Sequence, residues 1–311
     1  MYALSLRSLC GLALAAAILL GLLAVVARPQ SQPPAAPTQL AHFHHLHFNS
    51  ADPQSAIDFY TTRFNGEKAR FGNQDAVWTG RSWFFFHKVN QAPPSDIVAS
   101  LYHLGWGAQD PKAAYQRLVD AGVKFETPLT DLFDLLGTGA PGRGYYAYVD
   151  GPDHALIELN GGASNNFQHV HLVSDDPVAS SQWYMKEFAI PSRGPAPSKE
   201  PRFNKGLQVG PLVFLNVDGV LFAWFPTNLV KSLYPKAWQG RTGLASSEGR
   251  ALDHFAFSVD NLDAALARLQ ADGVKVLEPA HTSMGGKLKS AFVAAPDNVR
   301  LELVEGAAVR E

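Results

Sequence analysis

The chain has 311 residues, 46% of them apolar and 17% charged, with a formal net charge of −2 at pH 7. That length suits about two domains of roughly 100–200 residues, and that apolar share excludes a disordered chain. There is no Lys/Arg run, which argues against a nucleic-acid partner, because neutralising phosphates requires clustered cations. The single cysteine, Cys10, lies in the N-terminal apolar segment. An internal disulfide is therefore excluded, as are a thiol nucleophile and a Cys-ligated zinc in the folded part.

The N-terminal segment comes first in the chain. Arg7 precedes residues 9–27, which carry no charge, and residues 28–40 form a Pro- and Gln-rich linker. A positive start, an apolar run and small residues at Val25 and Ala27 predict a signal peptide over 1–27. The run is also just long enough for an uncleaved membrane anchor. Either form predicts an exported folded part, periplasmic or secreted, that meets a membrane only through this segment.

From His45 onward the chain repeats itself. HLHFNSADPQSAIDFYTTRF, from His45, is echoed without a gap by HVHLVSDDPVASSQWYMKEF, from His169. Each copy reads as a strand of alternating faces, an Asp-Pro helix start with Asp52 or Asp176 as N-cap, and an amphipathic helix. A second pair begins at His103 and His254 and again reads strand, helix, glycine stop and strand, with Gly122 and Gly273 matching. A third pair, YAYVDGPDHALIELN and SAFVAAPDNVRLELV, reads as hairpins with a Pro-Asp turn, ending near Glu158 and Glu302. These signals predict an α+β chain of four βαβββ modules. The first half covers 41–163 and the second 164–306, with an insertion at about 191–250 that is a candidate lid over the second site.

Alternation along the first strand puts His45, His47 and Asn49 on one face and His42, His44, Leu46 and Phe48 on the other. The repeat singles out His45, matched by His169 and, at the module starts, by His103 and His254. Each half then offers two imidazoles and a carboxylate: His45, His103 and Glu158, then His169, His254 and Glu302. Such a set on rigid strands suits a divalent transition metal with open coordination positions. A single buried strand histidine is more often structural than a ligand, and a Glu in ELN or ELV is weak evidence. The recurrence of the whole trio carries the metal reading. The aromatic runs at Phe84–Phe86 and Trp224–Phe225 read either as an apolar pocket wall or as core.

These motifs resemble the vicinal oxygen chelate superfamily, which includes glyoxalase I, bleomycin-resistance proteins and extradiol ring-cleaving dioxygenases. The similarity runs over residues 42–305: H-x-x-F from His45 and H-x-x-L from His169, each ahead of a helix with Phe59-Tyr60 or Trp183-Tyr184, then AALARLQADGV and PDNVRLELVEG. It implies two cupped-sheet, half-barrel domains of paired modules, each holding a metal on one of the two trios. Fe2+ is the first expectation, with Mn2+, Zn2+ or Ni2+ as alternatives. Four-module length resembles the ring-cleaving dioxygenases, which makes that reaction the first expectation. A glyoxalase-like lyase or isomerase, or a non-catalytic small-molecule binder, is the alternative. The ring-cleavers' catalytic tyrosine corresponds to Tyr148 in the first half and to Phe292 in the second. His47 and His171 are candidate acid–base neighbours. The glyoxalase type takes a fourth, acidic ligand from the last strand of the odd module, yet residues 82–89 and 220–226 contain no acid, leaving His87 as a substitute. The expected partner is a small-molecule substrate, apolar or aromatic, with the chain as monomer or homodimer.

Overall fold

The computed structural model describes residues 39–191 and 196–310. The predicted signal peptide or anchor lies outside them, as does most of the linker. Among the described residues no helix is long and apolar enough to cross a membrane.

The first module is β1 (His42–Ser50), α1 (Pro53–Arg63), β2 (Glu67–Phe71), β3 (Gln74–Thr79) and β4 (Ser82–Lys88). The second is β5 (Leu101–Ala108), α2 (Pro111–Asp120), β6 (Phe125–Asp131), the short α3 (Leu132–Leu136), β7 (Tyr145–Asp150) and β8 (Leu156–Gly161). The third is β9 (Phe167–Ser174), α4 (Pro177–Phe188), β10 (Arg202–Asn204), β11 (Leu207–Gly210), β12 (Val213–Val217), β13 (Val220–Pro226) and α5 (Thr227–Leu233). The fourth is β14 (Leu252–Val259), α6 (Leu262–Ala271), β15 (Val276–Ser283), β16 (Leu288–Ala295) and β17 (Val299–Glu305). The Asp-Pro signals mark helix starts as expected. Asp52, Asp110 and Asp176 each accept a hydrogen bond from a first-turn amide, with proline next in the helix, and Asn261 caps α6 in the same way.

The strands form two large sheets, of order β15-β16-β17-β14-β1-β4-β3-β2 and β12-β13-β9-β5-β8-β7-β6. The expected pairing of modules within each half is overturned. The first module joins the fourth through antiparallel β1 and β14, and the second joins the third through antiparallel β5 and β9. Each cupped sheet therefore draws on both sequence halves, and 41–163 and 164–306 are not separate sheet domains. Consecutive modules meet instead through aromatic packing. Phe64 contacts Trp106, and Phe188 contacts Phe257, with ring centroids 5.3 Å apart in both cases. Burial of these large rings packs the two sheets against each other.

The segment expected as an insertion also needs correcting. Residues 191–250 include β12 and β13, which are the third module's own sheet strands. The added parts are the β10–β11 hairpin and α5. The hairpin fastens α3: Arg202 donates to the Leu136 carbonyl (2.6 Å), and Asn204 donates to those of Asp134 and Leu135.

Candidate functional site

The sheet pairing sorts the six expected ligands differently from the sequence. Site 1 gathers His45, His254 and Glu302 with His47; site 2 gathers His103, His169 and Glu158 with His171. Within each site the ligand atoms lie within 4.8 Å of one another. The trios expected within each half are thus corrected: His45 and His169 exchange places, while His103 stays with Glu158 and His254 with Glu302. The cause is the antiparallel pairing, which sets His47 opposite His254 and His103 opposite His171.

In site 1, Glu302 Oε2 lies 2.9 Å from His45 Nε2 and 3.1 Å from His254 Nε2. His47 stacks on His254 with ring centroids 4.6 Å apart. Burial pushes His45 and His47 below the ordinary imidazole value. Burial also acts to lower His254, but its hydrogen bonds to Asp253 and Glu302 outweigh that and carry it up to about 8. Burial alone would raise Glu302, yet His45 and His254 beside it hold it well below the usual carboxylate range. A cavity of about 370 Å³ opens onto His47, His254 and Glu302. Its further walls are mixed, with Gln74, His87, Glu278, His281 and Arg300 beside the apolar Met284, Leu288 and Phe292. Phe84–Phe86 do not supply the apolar part of this wall; Phe85 packs on the His45 ring at 4.6 Å and Phe84 is core. His87 reaches the cavity edge, its ring centroid 6.4 Å from that of His47.

In site 2, Glu158 Oε2 lies 2.9 Å from His103 Nε2, 3.8 Å from His169 Nε2 and 3.7 Å from His171 Nδ1. Burial, then His103 and His169, lowers His171 well below the ordinary value. Tyr148 packs its ring 5.1 Å from that of His103 and shares a 2.9 Å hydroxyl–hydroxyl hydrogen bond with Tyr102. Burial and the neighbouring Tyr102 raise the Tyr148 hydroxyl well above its usual range, so it stays a neutral phenol, able to hydrogen-bond but not to act as a base at neutral pH. The mouth of this site is apolar, closed by Leu132, Leu135 and Leu136 of the α3 segment and Leu229 and Leu233 of α5, leaving about 30 Å³.

Both clusters fit a divalent cation. His45 Nε2, His103 Nε2, His169 Nε2 and His171 Nδ1 are buried without a hydrogen-bond partner, although each but His45 and His103 lies beyond 3.5 Å of its carboxylate and those two lie at 2.9 Å. Lone pairs that converge on a carboxylate without hydrogen-bond geometry are what a metal would satisfy. The position expected for an acidic fourth ligand is apolar in both sheets: Phe85 stands opposite His47 and Ala223 opposite His171. His47 and His171 stand beside each trio there as a further histidine.

Three residues of site 1 were missed in the sequence: His44, Asp253 and Arg300. His44 was assigned to the opposite face from His45. The pairing register shifts between Phe43 and His45, making His44 the extra residue of a β-bulge. Phe43 and Leu46 therefore both face the core, and His44 lies beside His45, Nδ1 to Nδ1 at 2.9 Å. Two core positions three apart in a strand were the available signal. His42 does point away, 3.0 Å from Asp218.

The chain matches one family model over residues 40–159 and again over 166–303, that of the Glyoxalase/Bleomycin resistance protein/Dioxygenase superfamily. It belongs to that superfamily. Among solved structures, a glyoxalase I mutant from Zea mays superposes with a TM-score of 0.62 at 15% identity, covering 86% of this chain and 94% of that one. Glyoxalase I from Zea mays gives 0.61 at 15% identity, covering 85% and 92%. A candidate dioxygenase from Bacillus subtilis gives 0.53 at 13% identity, covering 86% of each chain. At such identities the likeness of this superfamily member to its neighbours establishes fold alone. No curated protein matches the chain.

Proposed function

We propose that site 1 is the active site of a divalent-metal-dependent enzyme, one that binds a small molecule through adjacent oxygens and shifts a proton on it. This is a lyase or isomerase reaction of the glyoxalase kind. The observation that carries the reading is the cavity of about 370 Å³ lined by His47, His254 and Glu302. His45, His254 and Glu302 would hold the metal; Fe2+, Mn2+, Zn2+ and Ni2+ all accept two imidazoles and a carboxylate. A bound divalent ion supplies Lewis-acid polarisation of a substrate carbonyl. The chain's own residues do the rest. His47 faces the cavity as a neutral imidazole, because burial depresses its pKa. It can take a proton from the carbon beside the carbonyl and return it to the adjacent atom, so no other reactant is consumed. Arg300 lies 3.5 Å over the Phe292 ring and pairs with Asp253 and Glu278. With its charge balanced, this wall suits a neutral polar substrate better than an anion. The N-terminal segment supports action outside the cytoplasm.

Ring-cleaving oxygenation is the second reading, favoured at site 2 by Tyr148, His171 and the apolar mouth. Site 1 has Phe292 where that chemistry expects a tyrosine. Site 2 has the tyrosine but only about 30 Å³ of space.

The test uses protein purified without chelators and then loaded with each metal. Solvent deuterium uptake is followed by NMR on a panel of 2-oxoaldehydes and 2-hydroxyketones, beside an oxygenated catechol panel with Fe2+. Metal-dependent uptake, lost in His47→Ala while metal is retained, is the expected result. A yellow ring-cleavage product would replace this reading with the second. Bound metal with no turnover on either panel would leave a binding protein.

A further inference from the structure

The same β-bulges recur at both sites. In each sheet the residue immediately before an inner histidine is the extra one: His44 before His45 and Asp253 before His254, then Tyr102 before His103 and Gln168 before His169. A bulge turns two consecutive side chains to one side of the sheet, so each of these residues lies beside the ring that follows it.

What the four residues do there differs. His44 Nδ1 lies 2.9 Å from His45 Nδ1, and Asp253 Oδ1 lies 2.5 Å from His254 Nδ1. Asp253 is itself fixed, accepting from the Gly249 amide and from Asn49 Nδ2 at 2.9 Å. His44 is 2% exposed and packed edge-on to Phe71. Tyr102 instead turns its hydroxyl to Tyr148, and Gln168 turns its amide to Asn160. His103 Nδ1 is left buried with no hydrogen-bond partner.

We infer that site 1 is the resident metal centre, and that His44 and Asp253 are positioning residues that aim His45 Nε2 and His254 Nε2 at the ion. The inference rests on the metal reading above and adds which centre is built for it and by which residues. The proton positions are consistent. A His45 that binds through Nε2 carries its proton on Nδ1 and donates it, so His44 accepts at Nδ1 and keeps its own proton on Nε2. His254 donates from Nδ1 to the Asp253 carboxylate. Holding a ligand's distal nitrogen fixes its tautomer and ring angle, and losing such a partner typically weakens metal binding by about 10–100-fold. Site 2 offers the same inner donors without these partners and takes metal more weakly.

Chelator-competition titration of the full chain with Zn2+, read as metal bound per site, tests this. The expected result is one tight and one weaker site, with the tight one removed by His254→Ala and left intact by His103→Ala. His44→Phe and Asp253→Ala should each weaken the tight site by about 10–100-fold and leave the weaker one unchanged. His44→Gln, whose side-chain oxygen can accept from His45, should restore most of the loss. A purely structural role would shift both sites and would not be rescued. Loss of the tight site in His103→Ala, or unchanged affinity in His44→Phe and Asp253→Ala, overturns the inference. If His44→Phe does not fold, the His254/His103 comparison and Asp253→Ala decide. Tight metal at site 1 without turnover refutes the proposed reaction and leaves this inference standing; no metal at either site refutes both.

Discussion

Around His45 and His254 the sheet opens into a cavity of about 370 Å³ with mixed polar and apolar walls, whereas around His103 and His169 the corresponding strands run under α3 and α5 and leave about 30 Å³. The inner donors are the same two imidazoles, one carboxylate and one further histidine. Even the bulges coincide. What differs is the surroundings: acceptors behind the ligand rings and an open mouth in one site, tyrosines and a leucine cover in the other. Duplicated inner histidines and glutamates are therefore a poor guide to how the two clusters differ. The difference lies in the residues one step out and in the elements that cover each site.

The comparison can be broken most decisively at Glu302. Glu302→Gln removes the charge on which His45 and His254 converge. It should cost site 1 more than the roughly 100-fold typical of losing an outer partner, with site 2 metal unchanged; elemental analysis per chain checks this. His47→Ala should keep the metal and lower turnover by about 10²–10⁴-fold, the range for losing a positioned acid–base group. An equal loss in His171→Ala would move the chemistry to site 2. Leu229, 2% exposed in the cover of site 2, should cost about 2–5 kcal/mol as Leu229→Ala in denaturant melts. It should also admit phenol to site 2, seen as shifts of the His171 ring signals by NMR. The smallest expected effect is at Gly105, where an added Cβ would meet the His169 ring at 1.8 Å. Site 1 has Ala256 at the matching place, opposite His45. Gly105→Ala should destabilise by about 1–3 kcal/mol through overpacking and displace His169, lowering metal at site 2 alone.

The six histidines and glutamates that the fold gathers into the two clusters were legible in the sequence, because each recurs at a fixed spacing and backbone alternation puts it on a definite face. The helix starts were legible for a local reason too: an Asp-Pro pair caps and begins a helix with little help from the rest of the fold. Asp253 and His44 were not legible. Strict alternation sends neighbours to opposite faces, and only the pairing strand reveals that one residue is extra. The division into trios failed for a related reason. His45 satisfies its strand equally well beside β5 or β14, and nothing within one module states which first strand will lie alongside.

The sequence by itself determined the four modules, their helix caps and the inner histidines and glutamates, since these follow from short-range periodicity and turn chemistry. Tertiary structure alone decided that the first module pairs with the fourth, that His44 and Asp253 stand behind site 1, and that α3 and α5 close site 2. Those outcomes depend on contacts between segments far apart in the chain. They are set by which arrangement best buries the aromatic faces of both sheets together, a property no single stretch carries.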